Sequence, residues 1–244
     1  MSHAVIFAGP SLPPAMRPVH PQIKWRPPVR MGELYQVVRD ERPAAVGIVD
    51  GYFEVTPTVW HKEILWAMTR GVHVFGAASI GALRAAELAA FGMRGIGRIY
   101  QDFHDGAIED DDEVAVLHGP EEIGYPPVTE AMVNIRATLA AAVQQGVVAA
   151  PVAATLTANA KALFYKQRTY RTILEWAARA VEPSQLARFE NWLPEGRIDQ
   201  KHLDALALLD CILVHLAAGT PPLQVAFDFA DTAAWQAMRR AAGG

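Results

Sequence analysis

One stretch limits the possible folds more than any other: Val72-His73-Val74-Phe75-Gly76-Ala77-Ala78-Ser79-Ile80-Gly81-Ala82-Leu83-Arg84-Ala85-Ala86-Glu87-Leu88. Four residues that alternate or bury easily run into a glycine. A run of small residues follows, and then an alanine-rich pattern with helical spacing. The order is strand, tight turn, helix, with Ser79 at the turn. Gly81, Ala82, Ala85 and Ala86 let the helix lie close on a sheet. A serine on such a corner holds its hydroxyl clear of both elements, and the helix N-terminus beneath it offers N–H groups to a developing oxyanion. The local pattern Ala77-x-Ser79-x-Gly81 has alanine where a nucleophile elbow has its first glycine. A plain N-cap serine is the alternative reading.

Short units of the same kind precede it. Ala4-Val5-Ile6-Phe7-Ala8 is a buried strand that breaks at Gly9-Pro10-Ser11. Seven of the 17 prolines then fall between Pro10 and Pro28, alongside Arg17, Lys24, Trp25 and Arg26. That density excludes helix or central strand and leaves an ordered surface loop or a passive linker. Gly32 to Arg39 forms a short helix, and Ala45-Val46-Gly47-Ile48-Val49 is the next buried strand, followed directly by Asp50-Gly51. Thr56-Pro57 signals a helix start, with Trp60, Ile64 and Met68 on one face and Gly71 as the stop. Strands alternating with helices predict a parallel sheet covered by helices.

In open parallel sheets, ligands bind beyond the carboxyl ends of the strands. Gly9-Pro10-Ser11, Asp50-Gly51 and Ala78-Ser79 all fall at such ends, and His61 adds a base near the first turn of the helix after Asp50. Serine, histidine and aspartate on one rim form the set that an acyl transfer needs. Each has a plainer role when taken alone: Asp50 as a turn former before glycine, His61 as a surface helix residue.

The rest of the first half holds no dinucleotide fingerprint, because Gly92, Gly95 and Gly97 do not follow a strand and open a helix. Nine carboxylates and no lysine or arginine lie between Asp102 and Glu122, densest at Asp110-Asp111-Asp112-Glu113. This run reads as a solvated acidic edge, with a divalent-ion site or a dock for a basic partner as the sharper alternatives. Val114 to Leu117 resembles a last, edge strand. After Gly124 the pattern is helical only. One helix opens at Thr129-Glu130 and closes at Gly146, a helical region spans Pro151 to Val181, and another runs from about Gln200 to Ala218 with Leu203, Leu206, Leu209, Leu213 and Leu216 inward. A short helix follows Asp228. The expected architecture is an α/β domain with a parallel sheet over residues 1–124, then an all-helical domain over residues 125–244.

Between Pro151 and Val181 stand five basic residues against one acid, although the chain carries a net charge of −4. Lys161, Lys166, Arg168 and Arg171 therefore suggest a surface for an acidic partner. The overall charge argues against general nucleic-acid binding. The single cysteine, Cys211, excludes an internal disulfide and a cysteine-cluster metal site. No stretch is suited to span a bilayer, and a cytoplasmic protein without metal or cofactor is the expectation.

The segment from Gly76 to Leu88, followed by Gly92-Met93, resembles the core signature of the TfuA-like proteins. The resemblance extends to Val5-Ile6-Phe7-Ala8-Gly9-Pro10-Ser11-Leu12, Asp50-Gly51, Val59-Trp60-His61-Lys62-Glu63-Ile64-Leu65 and Asp111-Asp112-Glu113-Val114-Ala115-Val116. It covers roughly residues 4 to 118. TfuA proteins accompany YcaO enzymes, which activate a peptide amide with ATP so that sulfur replaces the oxygen. The resemblance implies a component that supplies the sulfur by cleaving the C-terminal thiocarboxylate of a ubiquitin-like sulfur carrier, with the precursor peptide as an indirect partner. On this reading Ser79 is the nucleophile, His61 the base and Asp50 its orienting acid. Ile80 and Gly81 supply oxyanion N–H groups, Arg84 holds a carboxylate or the departing sulfur anion or else merely pairs with Glu87 at i, i+3, and Gly9, Ser11 and Gly51 line the site. The competing expectation is a non-catalytic partner that positions YcaO or its substrate.

Overall fold

Where both faces of a parallel sheet are covered, its strands read as unbroken apolar runs, because successive side chains point to opposite sides. The computed structural model, which describes residues 2–52 and 56–243, has this arrangement. Strands β1 (Ala4–Phe7), β2 (Ile23–Arg26), β3 (Ala45–Ile48), β4 (His73–Gly76) and β5 (Arg94–Gly95) form one parallel sheet in the order β2-β1-β3-β4-β5. Every residue of β1 and β3 is buried. Strand β2 lies inside the proline-rich segment and sits at the sheet edge, the one place such a segment can pair.

Helices α1 (Glu33–Glu41), α2 (His61–Thr69) and α3 (Ile80–Leu88) cover one face, with α4 (Arg98–His104) beside α3. Leu34, Val38, Ile64, Met68 and Leu88 pack there on Val5, Phe7, Val46, Ile48 and Val74. Each such side chain contributes about 1.5–3 kcal/mol when fully buried. Helix α2 starts at His61 rather than at Pro57. The reason is Glu63, whose buried carboxylate accepts from Trp60 N at 3.0 Å, Gly32 N at 2.8 Å and Tyr35 N at 3.3 Å. Burial nonetheless pushes the Glu63 carboxyl above its ordinary range.

A second compact unit spans residues 110–201 and holds α5 (Met132–Gln144), α6 (Ala150–Ala162), α7 (Tyr170–Ala177) and α8 (Pro183–Gly196). Its core gathers Met132, Ile135, Leu139, Leu156, Ile173 and Phe189. The helical region expected over 151–181 breaks between α6 and α7. Thr169 opens α7 by accepting the Thr172 N–H at 3.2 Å. Val114 to Leu117 forms no strand. The Val114 carbonyl accepts from Lys201 Nζ at 2.8 Å and the Leu117 N–H donates to Thr129 Oγ1 at 2.8 Å, so ladder groups are already used.

Helices α9 (Gln200–Ala217) and α10 (Ala233–Ala241) follow, and residues 202–244 belong with residues 1–109 in the sheet unit. The sequence places one boundary at residue 124; by packing, the chain leaves the sheet unit near residue 110 and rejoins it at residue 202. Helix α9 supplies Ala205, Leu208, Leu209, Ile212 and Leu216 to the second sheet face, against Ala4, Ile6, Ala45, Val49 and Phe75. Gly47 permits this approach, since a Cβ there would stand 2.8 Å from both Ile212 and Leu208 side-chain carbons. Among the described residues, no helix is long and apolar enough to cross a membrane.

Candidate functional site

The corner between β4 and α3 is built from contacts that only small residues allow. A Cβ on Gly76 would lie 2.1 Å from the Gly81 carbonyl oxygen, and one on Gly81 would lie 1.8 Å from the Ile48 carbonyl oxygen. The first turn of α3 therefore rests directly on the sheet backbone. Ala77 N–H donates to the Ile48 carbonyl at 3.1 Å, and Ala78 takes a left-handed φ of 66°. Such a conformation costs an alanine on the order of 1–3 kcal/mol and turns the chain so that Ser79 heads the helix. Ser79 is 8% exposed. Its carbonyl accepts the Ala82 N–H at 3.0 Å and the Leu83 N–H at 3.3 Å, but its side chain caps no helix N–H. Of the two expected oxyanion donors, the Gly81 N–H already donates to the Val49 carbonyl at 3.3 Å.

Strand order places the topological switch point between β1 and β3, where one connection leads outward to β2 and the next to β4. Asp50 stands there, 1% exposed. Its Oδ2 accepts the Gly9 N–H at 2.8 Å and the Ser11 N–H at 3.0 Å, and its Oδ1 accepts the Ser11 hydroxyl at 2.7 Å. The carboxylate is thus occupied in holding the loop after β1 to the end of β3. The structure joins Gly9, Ser11 and Asp50 into one cluster and does not bring Asp50 to His61. Gly51 adjoins the corner, for a Cβ there would meet Thr58 Oγ1 at 2.3 Å and Ile80 Cγ2 at 2.7 Å.

His61 opens α2, and its Nε2 lies 2.7 Å from Glu87 Oε2 on α3. The same oxygen accepts from Arg84 Nη1 at 2.7 Å, while Arg84 Nε donates to the Val59 carbonyl at 3.3 Å. The His61 and Glu87 side chains are 38% and 37% exposed, so the group opens to solvent. Burial raises the Glu87 carboxyl, but the bonds from His61 and Arg84 outweigh it and hold the group below the usual carboxylate range. Glu87 is the residue that sequence reasoning did not assign. Its i, i+3 spacing from Arg84 was visible, but the link to His61 crosses 26 residues.

In the helical unit the basic residues divide. Arg168 is wholly buried and donates to the carbonyls of Ala160, Leu163 and Asp112 and to Asp112 Oδ2, the last at 2.7 Å. Lys161 pairs with Asp112, and with Asp110 and Glu113 at 3.0 Å each. Glu113 also takes a bidentate pair from Arg136 at 2.8 and 2.9 Å. Much of the acidic run is thus matched within its own unit. Burial raises the Asp112 carboxyl, but Lys161 and Arg168 bring it below its ordinary range. Lys166 and Arg171 are the exposed members of the four.

These features define an α/β protein with a parallel sheet, a serine on a strand-to-helix corner and a buried aspartate at the switch point of its carboxyl rim, and a histidine–glutamate–arginine group farther along α3. Residues 50–169 match the family model of the TfuA-like proteins, and the chain belongs to that family. The matched stretch contains Ser79, His61, Glu87 and the Asp112 network. No curated protein matches the chain. Family membership gives it a role in the thioamidation system associated with YcaO enzymes.

Proposed function

We propose that the protein releases sulfur for a YcaO enzyme by cleaving a thiocarboxylate, with Ser79 as the attacking group. The observation that carries this reading is the Ser79 corner: a left-handed Ala78 sets the serine at the head of α3, and its hydroxyl is not spent as a cap. Ser79 Oγ attacks the thiocarboxylate carbon, its proton passes to His61, and electrons shift to the carbonyl oxygen beside the Ile80 N–H. Collapse breaks the C–S bond and expels hydrosulfide, which takes the proton. Water then attacks the acyl-serine and returns the carrier as a carboxylate. The net reaction is thiocarboxylate plus water to carboxylate plus sulfide.

Glu87 takes the orienting role that the sequence suggested for Asp50. With Nε2–H donating to Glu87, the imidazole keeps its Nδ1 lone pair as the base. Asp50 instead shapes the rim through Gly9 and Ser11. Arg84, one turn into α3, offers the positive charge for the departing sulfur anion. Carrier docking falls to the exposed Lys166 and Arg171, near the exposed rings of Phe164 and Trp176.

The test is sulfide release from a thiocarboxylated carrier by wild type and Ser79→Ala. The variant keeps its thermal midpoint, because no capping bond is lost, and loses at least about 10³-fold in rate. A folded variant with full activity overturns the nucleophile. A non-catalytic YcaO partner then becomes the better reading, and the Gly81 N–H already engaged by Val49 favours it.

A further inference from the structure

A surface helix usually carries its charged residues on the face turned from the core. The outer face of α9 departs from that pattern, and only its inner face is covered. Its inner arc, with Leu208, Ile212 and Leu216, packs on the sheet. At 100° per residue, Leu203, Ala207, Asp210, Val214 and Ala217 share the opposite arc, flanked by Leu206 and Leu213, which are partly buried against the sheet cluster. Leu203 is 51% exposed and Val214 is 70% exposed. The sequence placed Leu203, Leu206 and Leu213 inward; Leu206 and Leu213 do pack on the sheet cluster, partly buried, whereas Leu203 faces solvent. The stripe from Leu203 to Ala217 runs about 21 Å at 1.5 Å per residue, enough to seat a helix of four turns. Its one charged residue is Asp210, at its midpoint and exposed.

That single charge selects the occupant. A second copy would pair α9 with itself about a two-fold axis. Antiparallel pairing centred on the stripe sets each residue against the one equally far beyond the midpoint; parallel pairing sets each against its own copy. Either way Asp210 meets Asp210, and the stripe itself holds no base to separate the two carboxylates. Self-pairing is therefore penalised at its centre, whereas a helix with a basic residue at its middle gains there.

We propose that the outer face of α9 docks a helix of the YcaO partner, one with an apolar ridge at i, i+3 and i+4 spacing and a lysine or arginine opposite Asp210. The choice of YcaO rests on the functional reading above; the chemistry of the occupant rests on α9 alone. The experiment measures binding of the cognate YcaO enzyme by calorimetry, with sedimentation for oligomeric state. Val214→Glu and Leu203→Glu each weaken binding roughly tenfold or more. Asp210→Lys weakens it too, and rising salt then restores affinity instead of reducing it. Thermal midpoints and cleavage of a small thioacid stay unchanged, since these positions are exposed and far in sequence from Ser79 and His61. Full affinity in both glutamate variants overturns the proposal. So does a wild-type dimer that Val214→Glu dissolves, which would assign the face to a second copy. If wild type cleaves no thioacid but the glutamate variants still lose YcaO, the hydrolytic reading fails and the docking face stands.

Discussion

Ser11 and Ser79 both follow strands of one sheet, and both are buried, at 2% and 8% exposure. Ser11 has its hydroxyl on Asp50 at 2.7 Å and its N–H on the same carboxylate at 3.0 Å. Among the described residues, Ser79 has only its backbone engaged. The two carboxylates differ in the same sense. Asp50 is sealed in and bonded to backbone N–H groups, while Glu87 stands half open, between a histidine and an arginine. A polar group whose capacity is filled by the fold is a structural part. One left with capacity at a rim is available for chemistry.

The largest effect that separates the two clusters is His61→Ala. General-base loss costs on the order of 10³-fold in carrier cleavage. Adding Ser79→Ala costs little more, because residues that act as a unit share one contribution. Additive losses in stopped-assay sulfide measurements would break the proposed relay.

Next is Asp50→Ala, which acts on stability. It strands two N–H groups and a hydroxyl in the interior and lowers unfolding free energy by about 3 kcal/mol. Urea titration checks this. A stable variant with lost activity would move Asp50 into the catalytic set. Ser11→Ala removes only one of those bonds and costs about 1 kcal/mol, with sulfide release kept near the wild-type rate. A collapse in rate there would shift the nucleophile to the switch point.

The smallest effect is that of Glu87→Gln on stability, a few tenths of a kcal/mol, because the pair is half exposed and screened. Its pH dependence has a fixed sign. The folded Glu87 carboxyl lies below the unfolded value of about 4.3, so its contribution is full above that value. It fades as pH falls through the lower folded value. Melting wild type and variant at pH 7 and at pH 3 should show a gap that closes in acid. A gap that widens would mean that Glu87 is neutral in the folded state.

The central strands were legible because Ala4–Phe7 and Ala45–Ile48 are buried on both faces and so contain no polar interruption. The corner was legible because the contacts of Gly76 and Gly81 leave no room for a side chain. Strand β2 was hidden by the prolines around it. The partners of Asp50 and His61 were hidden for another reason. Which carboxylate meets which donor depends on strand order and helix placement, and those pairs lie 39 to 41 and 26 residues apart. The basic residues misled in a related way. Local charge imbalance around Arg168 suggested a surface, but its neutralising partner, Asp112, stands 56 residues earlier.

The return of α9 to the sheet sets a timetable during synthesis. Strands β1, β3 and β4 leave the ribosome early, yet the helix that covers Ile6 and Phe75 comes after the whole segment 110–201. At about 5–20 residues per second, that delay is roughly 5–20 s. For that interval the nascent sheet carries an open apolar face, while the helical segment, with mostly local contacts, can close in the meantime. The vulnerable species in production is therefore the chain truncated before residue 202, and a nascent-chain binder should be found on it until α9 arrives.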